Sequence, residues 1–217
     1  MTELENKIVM ITGTSRGLGR ALAEAFTQAG ALVEGCSRSA GVDVTREEDV
    51  AGWFEGVAEK HGRVDIVVHS AGILTPRKPL AEVTAEEWNR SVAGNLTSAF
   101  LVTREAVRAM IPPQSGLILL VSSGVADRPA PTWGPYAAAK WGALGLSKLV
   151  AEEVASDGIR VVSVNPGRTR TPMRADAYPE EDPATVKTPE ETAPFYLAVA
   201  AGRVKFESGD LLQWKAL

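Results

Sequence analysis

The chain alternates short apolar runs with longer segments whose apolar residues recur at helical spacing. Runs such as residues 7–12 and 116–123 are too continuously apolar for half-exposed strands, so they predict strands that are buried on both faces. Two of the helical segments open with Thr-x-x-Glu, at Thr45 and Thr84, which is typical of a helix start. We count about six strands, with a candidate seventh in residues 207–214.

Repeated strand–helix–strand units of this kind predict an α/β fold. We expect one Rossmann-like domain over residues 1–217, a doubly wound parallel sheet with helices on both faces. Such a fold binds its ligands at the carboxyl ends of the strands. Residues 171–189 contain four prolines and follow a strand end directly. We interpret this segment as a substrate lid rather than as a disordered insert.

Composition narrows the range of partners. The 217 residues are 45% hydrophobic and 23% charged, as in globular proteins, and the net charge of −4 argues against nucleic acid as a partner. No apolar run reaches the roughly 20 residues of a membrane span, and the N-terminal segment lacks the pattern of a signal peptide. Cys36 is the single cysteine, and His61 and His69 form no metal cluster, so we expect a cytoplasmic protein without a metal.

A glycine-rich turn follows the first strand. Gly13 suits a sharp turn, while Gly17 and Gly19 let the backbone approach a pyrophosphate at the N-terminus of the next helix. The spacing predicts a dinucleotide site. At the end of the second strand, where an NAD-binding protein carries Asp or Glu, this chain has Ser37 and Arg38. Together with Arg16 in the glycine turn, they predict NADP(H) as the cofactor.

Tyr136 and Lys140 are four residues apart on a predicted helix and therefore share a face. An ammonium group close to a phenol lowers the pKa of the phenol, which favours a role in general acid/base catalysis. Ser123 ends a buried strand, where its hydroxyl can stabilise charge on a carbonyl oxygen. Ser123, Tyr136 and Lys140 beside a nicotinamide predict hydride transfer to or from a small-molecule carbonyl or alcohol.

The chain resembles the short-chain dehydrogenase/reductase family over essentially its whole length. The matching motifs are TGTSRGLG at 12–19, HSAG at 69–72, GNLTSAF at 94–100, LVSS at 120–123, YAAAK at 136–140 and NPGRTRT at 165–171. The tail is similar to a bacterial oxidoreductase branch with no assigned substrate. The resemblance implies that Asn95 joins the catalytic set by holding a water in a proton relay to Lys140.

The resemblance also implies which residues contact the cofactor. Asp43 and Val44 are assigned to the adenine, and Pro166, Gly167, Thr169 and Thr171 to the nicotinamide and phosphates. With the motif positions, the expected cofactor-binding residues are Gly13, Ser15, Arg16, Gly17, Leu18, Gly19, Ser37, Arg38, Asp43, Val44, Ser70, Ala71, Gly72, Tyr136, Lys140, Pro166, Gly167, Thr169 and Thr171.

Two departures from the family pattern matter. The usual NNAG is HSAG here, so Ser70 is expected near the adenosine ribose and His69 in a structural role. Only four residues separate Arg38 from Asp43, so the family's usual third helix is essentially missing. That difference could open the adenine end of the site and weaken nucleotide affinity.

Substrate and assembly are less constrained. Trp133, Met173 and Tyr178 predict a partly apolar pocket. Arg168, Arg170 and Arg174 could bind an acidic group, but we prefer the interpretation that they are solvated or contact cofactor phosphate. The resemblance implies a homodimer or homotetramer built on helices at 86–110 and 135–156. The small residues Ala139, Gly142 and Ala143 suit that interface or packing within the subunit.

Two functions from different classes fit these observations. The first is an NADP(H)-dependent carbonyl reductase or alcohol dehydrogenase. The second is a non-catalytic NADP(H)-binding redox sensor or scaffold on the same fold. The intact set of Asn95, Ser123, Tyr136 and Lys140 favours the enzyme, because a sensor has no need of an acid/base pair.

Overall fold

A computed structural model of the chain describes residues 3–128 and 130–217. The described residues form one six-stranded sheet with the strand order β2-β1-β3-β4-β5-β6, and every neighbouring pair of strands is parallel. The strands are β1 (Ile8–Thr12), β2 (Leu32–Cys36), β3 (Ile66–His69), β4 (Gly116–Val121), β5 (Ile159–Asn165) and β6 (Leu211–Gln213). The segment near the C-terminus therefore supplies the sixth strand rather than a seventh.

Alternate residues of the central strands feed two core layers. The helices are α1 (Gly17–Gln28), α2 (Glu47–His61), α3 (Ala85–Val92), α4 (Ser98–Met110), α5 (Gly134–Glu153), α6 (Pro172–Ala177) and α7 (Pro189–Ala200). On β1, Ile8 and Met10 pack on one face with α2, α4 and α5, while Val9 and Ile11 pack on the other with α1 and α7. This arrangement confirms the doubly wound fold predicted from the continuously apolar strands.

Helix starts test the two capping predictions. The Thr84 hydroxyl accepts from the Glu87 backbone N–H and Glu87 accepts in return, so this capping box is confirmed. The prediction at Thr45 was wrong, because α2 begins at Glu47 and the Thr45 hydroxyl instead donates to the Asp43 carboxylate at 2.8 Å. Local Asx geometry outcompetes the helix cap there.

The segment after β2 is as short as the sequence suggests. A single 3-10 turn, Arg38–Ala40, separates β2 from Asp43, and β2 is the edge strand of the sheet. In contrast, the segment 171–189 is more regular than expected. It contains α6, whose start is capped by the Thr171 hydroxyl, and the 3-10 turn Pro183–Thr185. No helix in the described part of the chain is both long and apolar enough to cross a bilayer.

Candidate active site

A cleft of about 1230 Å³ opens at the carboxyl ends of the strands. Every residue expected from the sequence to bind the cofactor lines this cleft, and so does Ser123. Asn95 does not line it, because its side chain is buried at 1% exposure behind the cleft wall. Loops distant in sequence therefore converge on one place, as the topology of a parallel sheet requires.

The glycine turn between β1 and α1 has the geometry of a phosphate site. Gly13 adopts φ +77°, and a Cβ on Gly19 would lie 2.3 Å from the Gly13 carbonyl oxygen, so no side chain fits there. Helix α1 starts at Gly17 without a side-chain cap and has no acidic residue in its first turn. Its free N–H groups face the cleft beside Ser15 and Arg16, which fits the pyrophosphate of a dinucleotide.

The far end of the cleft lies beside the edge strand β2. Ser37, Arg38 and Ser39 line it, and the Ser37 and Ser39 hydroxyls are hydrogen-bonded at 2.9 Å. The side chain of Asp43 accepts from the backbone and hydroxyl of Thr45, so Asp43 orders the turn that lines this end. With hydroxyls and a guanidinium at the end of β2 in place of a carboxylate, this region fits a ribose that carries a 2′-phosphate.

Tyr136 stands at the start of α5 with only 7% of its surface exposed. Burial raises the pKa of Tyr136 above its usual value, and the nearby Ser123 hydroxyl offsets the rise only in part. The expected lowering of this pKa by Lys140 was wrong. The Lys140 ammonium lies 5.8 Å from the centre of the tyrosine ring and donates to the Val121 carbonyl oxygen at 2.9 Å.

Lys140 is itself strongly perturbed by its position. It shares the inward face of α5 with Tyr136, as the four-residue spacing predicts, and is 7% exposed. Burial lowers the pKa of Lys140 to about 8. Its ammonium also lies near the HSAG turn, since a Cβ on Gly72 would come within 3.9 Å of Nζ. The buried amine of Lys140, which α5 carries, thus contacts the end of β4 and lies close to this turn.

His69 is buried close to the wall of the cleft. Both ring nitrogens of His69 are hydrogen-bonded, Nδ1 with the Thr12 hydroxyl at 3.0 Å and Nε2 with the Ser98 hydroxyl at 3.3 Å. Burial lowers the pKa of His69 to about 3, and the neighbouring Lys140 contributes to the fall, so the ring stays neutral. This geometry supports the structural role expected for His69.

Asn95 lies in the π-helical turn Ala93–Thr97, between α3 and α4. Its Nδ2 donates to the carbonyl oxygens of Ile73 and Ser91 at 3.0 Å, and its Oδ1 accepts from the Ile73 backbone N–H at 3.1 Å. Both Nδ2 hydrogens are taken by backbone carbonyl oxygens, while Oδ1 accepts from one backbone N–H and keeps a second lone pair. The relay role expected for Asn95 therefore stays a prediction.

A cluster of rings and guanidiniums roofs the end of the cleft nearest Tyr136. The Trp133 ring centre lies 5.6 Å from that of Tyr136 and 5.9 Å from that of Tyr178. Arg174 stacks on Tyr178 at 3.7 Å and forms two 2.7 Å hydrogen bonds with Glu181, which Arg168 also contacts at 2.8 Å. Arg174 is shielded and ion-paired with Glu181 rather than solvated, whereas Arg168 and Arg170 are exposed, as the preferred interpretation expects of most of these arginines.

The pKa of Glu181 is shifted by its two arginine partners. Arg174 and then Arg168 hold the pKa of the Glu181 carboxyl at about 2, well below its ordinary value. Its ion pairs tie the segment after α6 back to the turn that follows β5. From the segment 171–189, residues up to Tyr178 contribute to the lining of the cleft, and Met173 is among them, as expected from the sequence.

Sequence reasoning missed two arginines at this end. Arg128 lines the cleft from the loop after β4, with its Nε donating to the Gly124 carbonyl oxygen at 2.6 Å. Arg77 lies between the rings of Trp133 and Tyr178. Neither sits in a motif. The available signal was their place in loops after strands β3 and β4, which end at the ligand-binding edge.

Comparison with known proteins adds relatives of assigned and unassigned activity. The short chain dehydrogenase family model matches residues 7–182. The uncharacterized oxidoreductase YciK of Escherichia coli K12 is 30% identical over 217 aligned residues, covering 89% of this chain and 86% of the relative. The 3-oxoacyl-[acyl-carrier-protein] reductase FabG of Vibrio cholerae is 34% identical, covering 84% of this chain and 82% of the relative.

Solved structures of similar proteins have the same fold. A short chain dehydrogenase of Shigella flexneri complexed with NADP has a TM-score of 0.90 at 27% identity, covering 98% of this chain and 99% of that one. One from Escherichia coli CFT073 complexed with NADPH has a TM-score of 0.89 at 29% identity, covering 97% of this chain and 98% of that one.

Proposed function

The chain belongs to the short-chain dehydrogenase family, and we propose that it reduces the carbonyl group of a small molecule with NADPH. The observation that carries this proposal is that Ser123, Tyr136 and Lys140 line the same cleft as the glycine turn, with Ser123 close enough to influence the pKa of Tyr136. A phenol and a hydroxyl on one cleft wall need only a carbonyl oxygen between them to form a proton donor and an oxyanion site.

The raised pKa of Tyr136 suits a proton donor in carbonyl reduction. At neutral pH the phenol keeps its proton, so it can donate that proton to a carbonyl oxygen. NADPH, when bound, supplies a hydride to the carbonyl carbon. As the C–O π bond breaks, the Tyr136 hydroxyl gives its proton to the oxygen and Ser123 donates a hydrogen bond to the same atom. Lys140 then returns a proton toward the phenolate, and Asn95 would hold the water of that relay.

The cofactor preference rests on the edge strand. Arg38 and Arg16 are two cations that line the cleft, and the end of β2 carries Ser37 and Arg38 where an NAD-binding protein carries a carboxylate, which supports NADP(H) over NAD(H). Asp43, the carboxylate that lines this end, accepts hydrogen bonds from Thr45. The relatives complexed with NADP and NADPH support the same choice.

We expect Arg38→Ala to weaken NADPH binding about tenfold and to leave NADH binding unchanged, because the guanidinium pairs only with the 2′-phosphate. Fluorescence titration of both nucleotides measures this. Arg20→Ala is the matched control, since Arg20 is an exposed arginine of α1 outside the cleft. Equal losses for NADH and NADPH, or tighter binding of NADH by the unaltered protein, would contradict the assignment.

The lid and the assembly belong to the same proposal. The ion pairs of Glu181 support residues 171–189 as the roof of the substrate end.

Ala139 and Ala143 are buried within the subunit, and a Cβ on Gly142 would lie 2.9 Å from Leu96, so the small face of α5 packs internally. Exposed apolar side chains on α4 and α5 support a homodimer or homotetramer through those helices: Phe100, Trp141 and Leu149. A cytoplasmic location remains a prediction from the sequence.

A panel of ketones, aldehydes and secondary alcohols, followed at the nicotinamide absorbance, tests the function as a whole. Turnover of a carbonyl compound with NADPH supports the proposal. Tight NADPH binding with no turnover across the panel would instead favour a redox sensor.

A further inference from the structure

The guanidinium of Arg77 lies beside the cleft, held by two rings that line it, those of Trp133 and Tyr178, although Arg77 itself is not among the lining residues. Its Cζ lies 4.8 Å from the ring centre of Trp133 and 4.8 Å from that of Tyr178. Its Nη1 donates to the Ala177 carbonyl oxygen at 2.6 Å. Two rings and one hydrogen bond set the plane of the group, so its other N–H donors point in fixed directions without further loss of side-chain entropy.

The charges around Arg77 are unbalanced. Arg174 stacks on the same Tyr178 ring, but Glu181 pairs with it through two hydrogen bonds and also serves Arg168. Among the described residues, Arg77 makes no ion pair with a carboxylate. The three neighbouring guanidiniums thus have one carboxylate among them, so this cluster is positively charged although the whole chain has a net charge of −4. Such a site attracts an anion.

Arg77 is also close to the proton donor. The Trp133 ring that carries its guanidinium lies 5.6 Å, centre to centre, from the Tyr136 ring. Trp133, Tyr136 and Tyr178 all line the cleft. An anion held by Arg77 therefore lies only one aromatic ring away from the place where the carbonyl would react.

From this geometry we propose that the substrate is an oxo acid and that Arg77 binds its carboxylate, a few bonds from the reacting carbonyl. The proposal rests on the proposed function and names the substrate class for it. A planar guanidinium matches the two oxygens of a carboxylate, which favours this anion. NADPH, a proton and the oxo acid give NADP⁺ and the hydroxy acid. The hydride and the Tyr136 proton form the new C–H and O–H bonds, and the carboxylate is unchanged.

The test compares acids with their methyl esters. 3-Oxobutanoate, 4-oxopentanoate and 5-oxohexanoate vary the spacing between carbonyl and carboxylate, and each ester removes only the charge. We expect kcat/KM of the best acid to exceed that of its ester at least about tenfold. Arg77→Met should lower kcat/KM for the acid about tenfold, mainly through KM, and leave the ester within about twofold. Arg77→Lys keeps the charge but not the planar pair of donors, and should fall between.

A matched control distinguishes an arginine that binds the substrate from one that only supports the structure around the cleft. Arg160 stacks on Phe206 at 3.8 Å and donates to the Phe206 carbonyl oxygen, and it lies outside the cleft. Arg160→Met is therefore the matched variant and should change neither substrate. If Arg77→Met lowers acid and ester equally, Arg77 is only a brace of the roof and the proposal fails. Equal turnover of acid and ester by the unaltered protein overturns it as well.

A binding assay distinguishes this failure from failure of the proposed function. The acid and its ester are titrated into the NADPH complex of Tyr136→Phe, with tryptophan fluorescence as the signal. Tighter binding of the acid that is lost in Tyr136→Phe/Arg77→Met supports the anion site even if no carbonyl is turned over. Equal binding of acid and ester overturns the anion site, whatever the activity panel shows.

Discussion

Tyr136→Phe is expected to lower kcat for carbonyl reduction at least about a thousandfold while leaving the affinity for NADPH within twofold. The substitution removes only the hydroxyl that would donate the proton. The phenylalanine ring can fill the same buried space against Trp133, so the cleft keeps its shape. Stopped-flow or steady-state turnover with a substrate found in the panel, beside NADPH titration, measures both quantities.

Tyr196→Phe is the matched control for this variant. Tyr196 is fully buried in the opposite core layer, and its hydroxyl donates to the Val164 carbonyl oxygen at 3.5 Å, away from the cleft. Its loss should cost about 1 kcal/mol of unfolding free energy and leave turnover unchanged. Retained turnover in Tyr136→Phe would reject the acid/base role, and with it the proposed mechanism.

The spacing of apolar residues and glycines in the sequence was sufficient to predict the sheet and the location of the site. Continuous apolar runs such as β4 define parallel strands, and the ends of those strands must meet along one edge. Gly13 and Gly19 signal a close backbone approach because a side chain has no room there. These features depend on local spacing, and local spacing can be read directly from a sequence.

The electrostatics could not be predicted in the same way. The direction of the Tyr136 pKa shift depends on how completely the fold buries the ring. The stack of Arg77, Trp133 and Tyr178 joins three segments that are distant along the chain. Asn95 shows the same limit, since its motif does not reveal that backbone carbonyl oxygens of Ile73 and Ser91 take both hydrogens of its amide nitrogen.

Lys140→Met is expected to stabilise the protein at pH 7 and to lower turnover at least about a hundredfold. Lys140 has a pKa of about 8 in the folded protein against 10.5 when exposed, because burial disfavours its charge. That difference corresponds to about 3 kcal/mol, since each pKa unit is worth about 1.4 kcal/mol. Losing the hydrogen bond to the Val121 carbonyl oxygen returns about 1 kcal/mol, so the net gain is about 2 kcal/mol.

The sign of the pH dependence identifies the buried amine as the cause. Below pH 8 both the folded and the unfolded chain keep the proton of Lys140, so folding must bury the charge and the cost is complete. Between pH 8 and 10.5 only the unfolded chain keeps that proton, so the contribution of Lys140 to the stability of the unaltered protein rises with pH. The neighbours of the amine do not charge in this window, since Tyr136 has a raised pKa and His69 stays neutral.

Denaturant unfolding of both proteins at pH 7 and pH 10 provides the measurement. The advantage of Lys140→Met should be about 2 kcal/mol at pH 7 and should vanish or reverse by pH 10, where the lost hydrogen bond is all that remains. Lys148→Met, on the exposed face of the same helix, should change neither stability nor turnover. A pH-independent difference would mean that Lys140 is not buried as an amine beside Tyr136, and full turnover in Lys140→Met would remove it from the proton relay.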